Sequence, residues 1–225
     1  MSTSILYRVL EIPLVYRVSQ WLLLPGADRL LAARWQRVFR DSRGVVIDVG
    51  CGPAPTTPEP EGTLVGVDVN PSYLEQFAGS ISSDPSRLQT PQQLPRRMAY
   101  VSSAASLPFP SDCADEARAM GLLHHLPDDV ARDCIREMLR CVRPGGRVIV
   151  FDNVWPRSRR RRPWAWLLRR LDRGEFVRSE QQLRTLLSAV AAWDWWGERF
   201  TYTYSGLEGM VFVIVKPEAP PAAAP

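Results

Sequence analysis

Short apolar runs alternate with amphipathic segments along most of this chain. The runs Val45–Val49 and Leu64–Val69 are rich in β-branched residues, and Arg147–Asp152 forms a third run of the same kind. Such runs are typical of buried parallel strands. Two weaker strands are predicted near Met98–Val101 and at Ala114–Gly121. We therefore expect a sheet that is covered on both faces.

The segments between these strands have apolar residues at helical spacing. Helices are predicted from Ser72 to Ala78, from Pro127 to about Arg143 and from Ser179 to Ala191, with Asn70 and Ser179 as candidate caps. Residues 5–40 predict two or three further helices. Two aromatic runs, 199–204 and 210–216, predict a closing hairpin.

Strands that alternate with helices indicate the α/β class, and the hairpin adds an antiparallel strand. We divide the chain into N-terminal helices over residues 1–43, which cover the core, and a main domain over 44–217. A basic amphipathic insertion is expected at about 155–175, and residues 218–225 are predicted to be a disordered tail.

The charge is unevenly distributed along the chain. The net charge is +4, but eight arginines between residues 157 and 173, with Asp172 among them, contribute +7, so the rest of the chain is net negative. This distribution is unlike that of a uniformly basic nucleic-acid binder. The four cysteines form no CxxC pair and the two histidines are adjacent, which disfavours a disulfide framework or a zinc cluster. With no membrane-spanning run and no signal peptide pattern, a cytoplasmic location is expected.

A glycine turn follows the first predicted strand. Asp48, Gly50 and Gly52 form D-x-G-x-G, but Pro55 stands where a dinucleotide-binding turn has glycine or alanine. Four prolines between positions 52 and 64 leave little room for the helix whose N-terminus binds a pyrophosphate. Asp68 ends the second strand, where an acid accepts ribose hydroxyls. These features favour a nucleoside without phosphates over NAD.

Five segments together resemble a known family. In chain order they read VIDVGCGPA, LVGVDVN, SLPFPSDCAD, GLLHHLPDD and REMLRCVRPGGRVIVFD, which together span about Gly44–Asp152. They resemble the class I S-adenosylmethionine-dependent methyltransferases, in particular the small-molecule branch that includes ubiquinone and menaquinone methyltransferases. The resemblance implies a Rossmann-like, seven-stranded, mostly parallel sheet with an antiparallel C-terminal hairpin strand and helices on both faces.

The resemblance also implies a donor site for S-adenosyl-L-methionine. By matched position the methionine part lies against Asp48, Gly50, Cys51 and Gly52, and Asp68 holds the ribose. Val69 covers the adenine, Ser103 and Ala104 meet its edge, and Gly121 and Leu122 line the side of methyl transfer. Ser103 replaces the family's usual aspartate, so one adenine contact is expected to be shorter or lost. Cys51 is interpreted as a small packing residue.

Three features leave alternatives open. His124 and His125 are candidate general bases for the acceptor, or residues that pack and hydrogen-bond a loop. Arg118 interrupts the apolar pattern of the fourth strand, so we expect that it reaches the rim of the sheet or that the strand register differs there.

The basic insertion also has two interpretations. Trp164, Leu167, Leu168 and Leu171 fall on one helical stripe. The helix either rests on an anionic membrane surface, such as the inner face of the cell membrane, or packs this stripe on the domain and exposes its basic face. The expected function is methyl transfer to a small apolar acceptor at oxygen, nitrogen or carbon, and no metal is implied. The alternatives are a nucleic-acid methyltransferase or binder and a non-catalytic protein of this fold.

Overall fold

The computed structural model describes residues 26–79, 95–171, 174–190 and 195–218. The predictions for the apolar N-terminal segment before Gly26, for the connection 80–94 and for the tail from 219 lie outside these residues. The described helices, in chain order, are α1 (Ala27–Val38), α2 (Pro71–Ala78), α3 (Asp128–Cys141), α4 (Pro163–Arg170) and α5 (Glu180–Ser188).

The described strands form one seven-stranded sheet. In chain order they are β1 (Arg43–Val49), β2 (Glu61–Asp68), β3 (Arg97–Val101), β4 (Ala114–Met120), β5 (Val142–Val154), β6 (Trp195–Thr201) and β7 (Glu208–Val215). Their spatial order is β3-β2-β1-β4-β5-β7-β6. Neighbours among β1–β5 are parallel, while β7 is antiparallel to both β5 and β6. The predicted Rossmann-like fold is confirmed.

Helices cover both faces of the sheet. On one face, alternate residues of the strands pack against the buried stripes of α3 and α5. On the other face, α1 and α4 cover β5 and β7, and α2 covers β1 and β2. The predicted caps are present: Asn70 Oδ1 accepts from Ser72 N, and Ser179 forms a capping box with Gln182. Short side chains that satisfy free N–H groups therefore set the starts of α2 and α5.

The chain between β1 and β2 forms turns and bends with no helix, as the four prolines predict. This part of the sheet consequently lacks the apolar helical cover that its neighbours have. The residues beneath it are polar and buried: Asp48, Glu116 and Arg118.

Three expectations need correction. The hairpin begins earlier than predicted: β6 starts at Trp195, whose ring packs against that of Phe212 of β7 at a centroid distance of 5.4 Å. Arg118 does not lie at a rim: it pairs with Asp48 of β1 in the centre of the sheet and is fully buried. The register of β4 against β5 does shift, but between Ala114 and Glu116, before Arg118.

The third correction concerns α4. Trp164 and Leu171 of the apolar stripe are 72% and 69% exposed, whereas Arg169 is buried with Ala165. The helix does pack on the domain, but through Ala165, Leu168 and Arg169, so only part of the apolar stripe is covered. Arg169 is buried because its guanidinium donates to the Tyr202 hydroxyl, at 3.0 Å, and to the Glu208 carbonyl, at 3.2 Å. Hydrogen bonds of this kind offset the cost of burying a charge.

Candidate active site

The candidate donor residues lie along one edge of the sheet, where β1–β4 end. Because parallel strands place their carboxyl ends together, segments far apart in sequence meet at this edge. In spatial order it is formed by Ser103–Ala104 after β3, Asp68–Val69 at the end of β2, the turn 50–52 after β1 and Gly121–Leu122 after β4. The residues that the resemblance assigns to the donor site therefore lie along the same edge of the sheet.

The glycine turn folds back onto the end of β2. Gly50 N and Cys51 N both donate to the Val67 carbonyl, at 2.7 and 3.2 Å. Gly50 and Gly52 have φ angles of 69° and 62°, which residues with a Cβ rarely adopt. A Cβ built on Gly52 would meet no atom within 4 Å, so the backbone here is open to close approach by a ligand.

Asp68 joins this turn to the next segment. Its Oδ2 accepts from Gly52 N at 3.1 Å and its Oδ1 from Asn70 N at 2.9 Å. The carboxylate is thereby fixed at the rim of the sheet and keeps further lone pairs for hydroxyl groups. Beside it Val69 is 70% exposed, a position that suits a flat ring lying on it. The residues present thus fit the nucleoside half of S-adenosylmethionine.

Leu122 closes the turn from the side of β4. A Cβ on Gly50 would lie 2.6 Å from Leu122 Cδ1, so the glycine leaves room for this side chain. Gly121 N donates to the Phe151 carbonyl at 2.7 Å and ties this loop to β5. On the opposite side, the Ser103 hydroxyl accepts from Ala105 N at 3.2 Å.

Two groups below the turn have perturbed acidity. Burial raises the pKa of Asp48 to about 7, against the opposing charge of Arg118 and with the aid of Glu116 and Asp68. Burial, followed by the charges of Asp48 and Asp68, also raises the pKa of the Cys51 thiol far above its usual range. A thiol that stays protonated is a poor nucleophile, which agrees with the interpretation of Cys51 as a packing residue.

The two adjacent histidines differ in their surroundings. His124 is 4% exposed and its Nδ1 lies 2.5 Å from Asp152 Oδ1, while His125 is exposed and its ring lies 4.1 Å from that of His124. A carboxylate only accepts, so Nδ1 carries the proton and donates it to Asp152. The His124 Cε1 atom lies 3.7 Å from the position of a Cβ on Gly121, at the end of the donor site.

A chain of hydrogen bonds continues from the imidazole to α4. Tyr202 donates its hydroxyl to Asn153 Oδ1 at 2.7 Å, so the Asn153 amide nitrogen faces His124 Nε2, at 3.4 Å. Arg169 donates to the same Tyr202 hydroxyl. In these directions His124 Nδ1 donates to Asp152 and His124 Nε2 accepts from the Asn153 amide.

Sequence reasoning missed four members of this network as site residues: Asp152, Asn153, Tyr202 and Arg169. Asp152 could have been identified from the sequence. It lies near the C-terminal end of β5, and the parallel neighbour β4 leads to the two histidines at that same edge of the sheet. Among the described residues, no group of three or more His, Cys, Asp or Glu side chains is placed to hold a metal ion. No helix in the ranges that the structure covers is long and apolar enough to cross a bilayer.

Comparisons with known proteins agree with this geometry. Residues 47–150 match the family model described as a methyltransferase domain. The chain is 30% identical over 138 residues to the methyltransferase GfsG of Streptomyces halstedii, and 29% identical over 147 residues to a tRNA (carboxymethyluridine(34)-5-O)-methyltransferase of Arabidopsis thaliana. These alignments cover 59% and 63% of this chain, but 46% and 32% of the relatives. The chain thus spans about half of one curated relative and a third of the other.

A solved structure shows the same fold. The phosphoethanolamine N-methyltransferase 2 of Haemonchus contortus, in complex with phosphomonomethylethanolamine and S-adenosylhomocysteine, superposes with a TM-score of 0.62 at 15% identity. The match covers 95% of this chain and 60% of that one. Residues 47–150 thus resemble a methyltransferase domain, and the chain shares the fold of that solved methyltransferase.

Proposed function

We propose that this protein transfers the methyl group of S-adenosylmethionine to a small, apolar acceptor, at oxygen, nitrogen or carbon. The observation that carries the proposal is the buried His124–Asp152 pair beside Gly121, at the end of the donor edge. A buried imidazole fixed by a carboxylate is arranged to take a proton from a neighbouring acceptor group. The relatives' names support methyl transfer as the reaction class.

The donor lies, in this proposal, across the edge of the sheet. Its methionine part lies over the turn 50–52 above Asp48, its ribose hydroxyls bind Asp68, and its adenine lies on Val69 next to Ser103 and Ala104. When bound, S-adenosylmethionine supplies a methyl group on an electrophilic sulfonium. Gly121 and Leu122 then face the methyl group, with His124 behind them.

His124 is the proposed base, and His125 is not. The acceptor's oxygen, nitrogen or carbon forms a bond to the methyl carbon as the bond from that carbon to sulfur breaks, which leaves S-adenosylhomocysteine. The acceptor's proton passes to His124 Nε2, which gives up its hydrogen bond from the Asn153 amide, and Asp152 stabilises the imidazolium that forms. His125 is exposed and its ring lies tilted against that of His124, so we assign it no proton transfer.

An apolar acceptor is supported by the surface of α4. The helix holds Arg169 inward, in the hydrogen-bond chain to His124, and exposes Trp164, Leu167 and Leu171. Arginines 159–161 and 170, close by in the sequence, are exposed as well. Exposed apolar and arginine side chains on one segment suit the surface of an anionic bilayer, from which a quinone-like acceptor would enter. We include this peripheral contact in the proposal.

Vesicle flotation tests the membrane contact. We expect the protein to bind vesicles of phosphatidylglycerol and phosphatidylcholine, and not vesicles of phosphatidylcholine alone. Trp164→Ser should weaken binding several-fold, because the substitution removes a 72% exposed tryptophan from the surface that contacts the bilayer. Trp196→Ser is the matched control, since Trp196 is 49% exposed on β6. Equal loss in both variants, or equal binding to both kinds of vesicle, contradicts the contact.

The reaction is tested by label transfer from S-[methyl-³H]adenosylmethionine to a panel of hydroxylated aromatic, amine and carbon-acid acceptors. We expect transfer to an apolar acceptor that falls about 100-fold or more in His124→Gln and changes little in His125→Gln. Salt-sensitive binding and labelling of RNA would instead favour the nucleic-acid alternative, to which the arginines and the Arabidopsis relative's name are relevant. Failure to bind S-adenosylhomocysteine would favour the non-catalytic alternative.

A further inference from the structure

A cluster of buried charges lies under the proline-rich segment 53–60, where the neighbouring parts of the sheet have helical cover. Asp48, Glu116 and Arg118 are each at most 2% exposed. Asp48 and Arg118 face each other across β1 and β4, and Glu116 lies one pleat further along β4 on the same face. Charges this deeply buried are unfavourable unless they serve each other.

Arg118 is the centre of this cluster. Its Nε lies 3.1 Å from Glu116 Oε1, as an ion pair without the alignment of a hydrogen bond. Its Nη1 donates to the Thr57 hydroxyl and, at 3.1 Å, to the Pro58 carbonyl. Its guanidinium also lies over the ring of Phe39, 4.6 Å from the centroid. The Arg118 side chain therefore fixes the segment 53–60, which directly follows the glycine turn.

Glu116 has a second positive partner besides Arg118. Arg147 of β5 also binds Glu116 Oε2, through Nε at 2.8 Å and Nη2 at 2.7 Å. Asp48, in contrast, is surrounded mostly by negative groups: Glu116 on β4 and Asp68 on β2. The positive charge that faces it is Arg118, which opposes the rise in the pKa of Asp48 caused by burial.

We propose that Arg118 is a positioning residue for the donor site: it supplies the positive charge opposite the Asp48 carboxylate and clamps the segment 53–60 through Thr57 and Pro58. The inference rests on the proposed placement of the donor's methionine part above Asp48. In that placement, an ionised Asp48 attracts the cationic amino group of the donor. No helix follows the glycine turn, and Arg118 instead holds the segment 53–60 in place over β1 and β4 by its charge and its hydrogen bonds.

Calorimetric titration with S-adenosylhomocysteine between pH 6 and 9 tests both roles. Arg118→Met should weaken binding about tenfold at pH 7, and affinity should recover in part at higher pH, because Asp48 then ionises about one pH unit later while the loss of the clamp remains. Arg118→Lys keeps the charge, so its pH midpoint should stay that of the wild type. Thr57→Val removes part of the clamp alone and should weaken binding a few-fold at every pH.

Further variants separate a positioning role from a structural one. Arg147→Met, which removes the other cation of Glu116, is the matched control and should leave the pH midpoint unchanged. In an Asp48→Asn background, Arg118→Met should no longer change the pH dependence. If Arg118→Met alone does not fold, the pH midpoint of the double variant Arg118→Met/Glu116→Gln is compared with that of Glu116→Gln alone, because Glu116 itself raises the pKa of Asp48.

The outcomes are distinct. A loss of affinity in Arg118→Met that is equal at all pH values, or no loss, overturns the proposal while the donor site stands. If the wild-type protein binds no S-adenosylhomocysteine, the donor placement itself is wrong. A midpoint that moves in Arg118→Met, and stays in Arg118→Lys and Arg147→Met, supports the positioning role.

Discussion

Replacing the buried carboxylate of Asp48 with an amide should change how the stability of the ligand-free protein depends on pH. Burial raises the pKa of Asp48 from 3.8 to about 7 in the folded state. Between these values the folded protein holds a proton that the unfolded chain has lost, so this group contributes stability at low pH that is lost as pH rises to about 7. The full change corresponds to about 4 kcal/mol.

Urea unfolding followed by tryptophan fluorescence measures this contribution. We expect Asp48→Asn to gain stability relative to the wild type as pH rises from 5 to 8, by about 2–3 kcal/mol, since about two of the three pH units lie in this window. The urea dependence of the free energy of unfolding should be the same in both proteins. A stability difference that is constant across this pH range would refute the burial of an ionisable group at this position.

Three further substitutions test the site. Gly50→Ala forces a Cβ onto a residue with φ of 69° and against Leu122, so the affinity for S-adenosylhomocysteine in calorimetry should fall at least tenfold. Asp152→Asn removes the acceptor of the imidazole proton and should lower the rate of methyl transfer about 100-fold without weakening donor binding; a matched loss of both would contradict this role. Gly174→Ala places a Cβ 2.1 Å from the His124 ring, so it should lower the same rate while the affinity for the donor product stays within threefold.

The fold was predictable wherever burial on both faces made the sequence pattern simple. Val45, Val46, Ile47 and Val49 are all buried, and the strand predicted from this apolar run is confirmed. The helix missing after this strand was predictable from the prolines, since they restrict the backbone locally. The start of α5 followed from Ser179 for the same reason: a cap acts within three residues.

Features that depend on distant partners were not predictable. Arg118 looked unsuited to a central strand because its partners Thr57 and Pro58 lie about 60 residues away in the chain. The orientation of α4 depends on Tyr202 and on the Glu208 carbonyl, which draw Arg169 inward and turn Trp164 to solvent. Hydrophobic periodicity records which residues are apolar and contains no information about such hydrogen bonds.

A crystal structure with S-adenosylhomocysteine tests the central claim most directly. The account predicts the ribose hydroxyls within hydrogen-bond distance of the Asp68 carboxylate, the amino acid part over Gly50–Gly52, and the sulfur on the side of Gly121, towards His124. A ligand bound elsewhere on the protein, or bound at this edge with its sulfur turned away from Gly121, would contradict it.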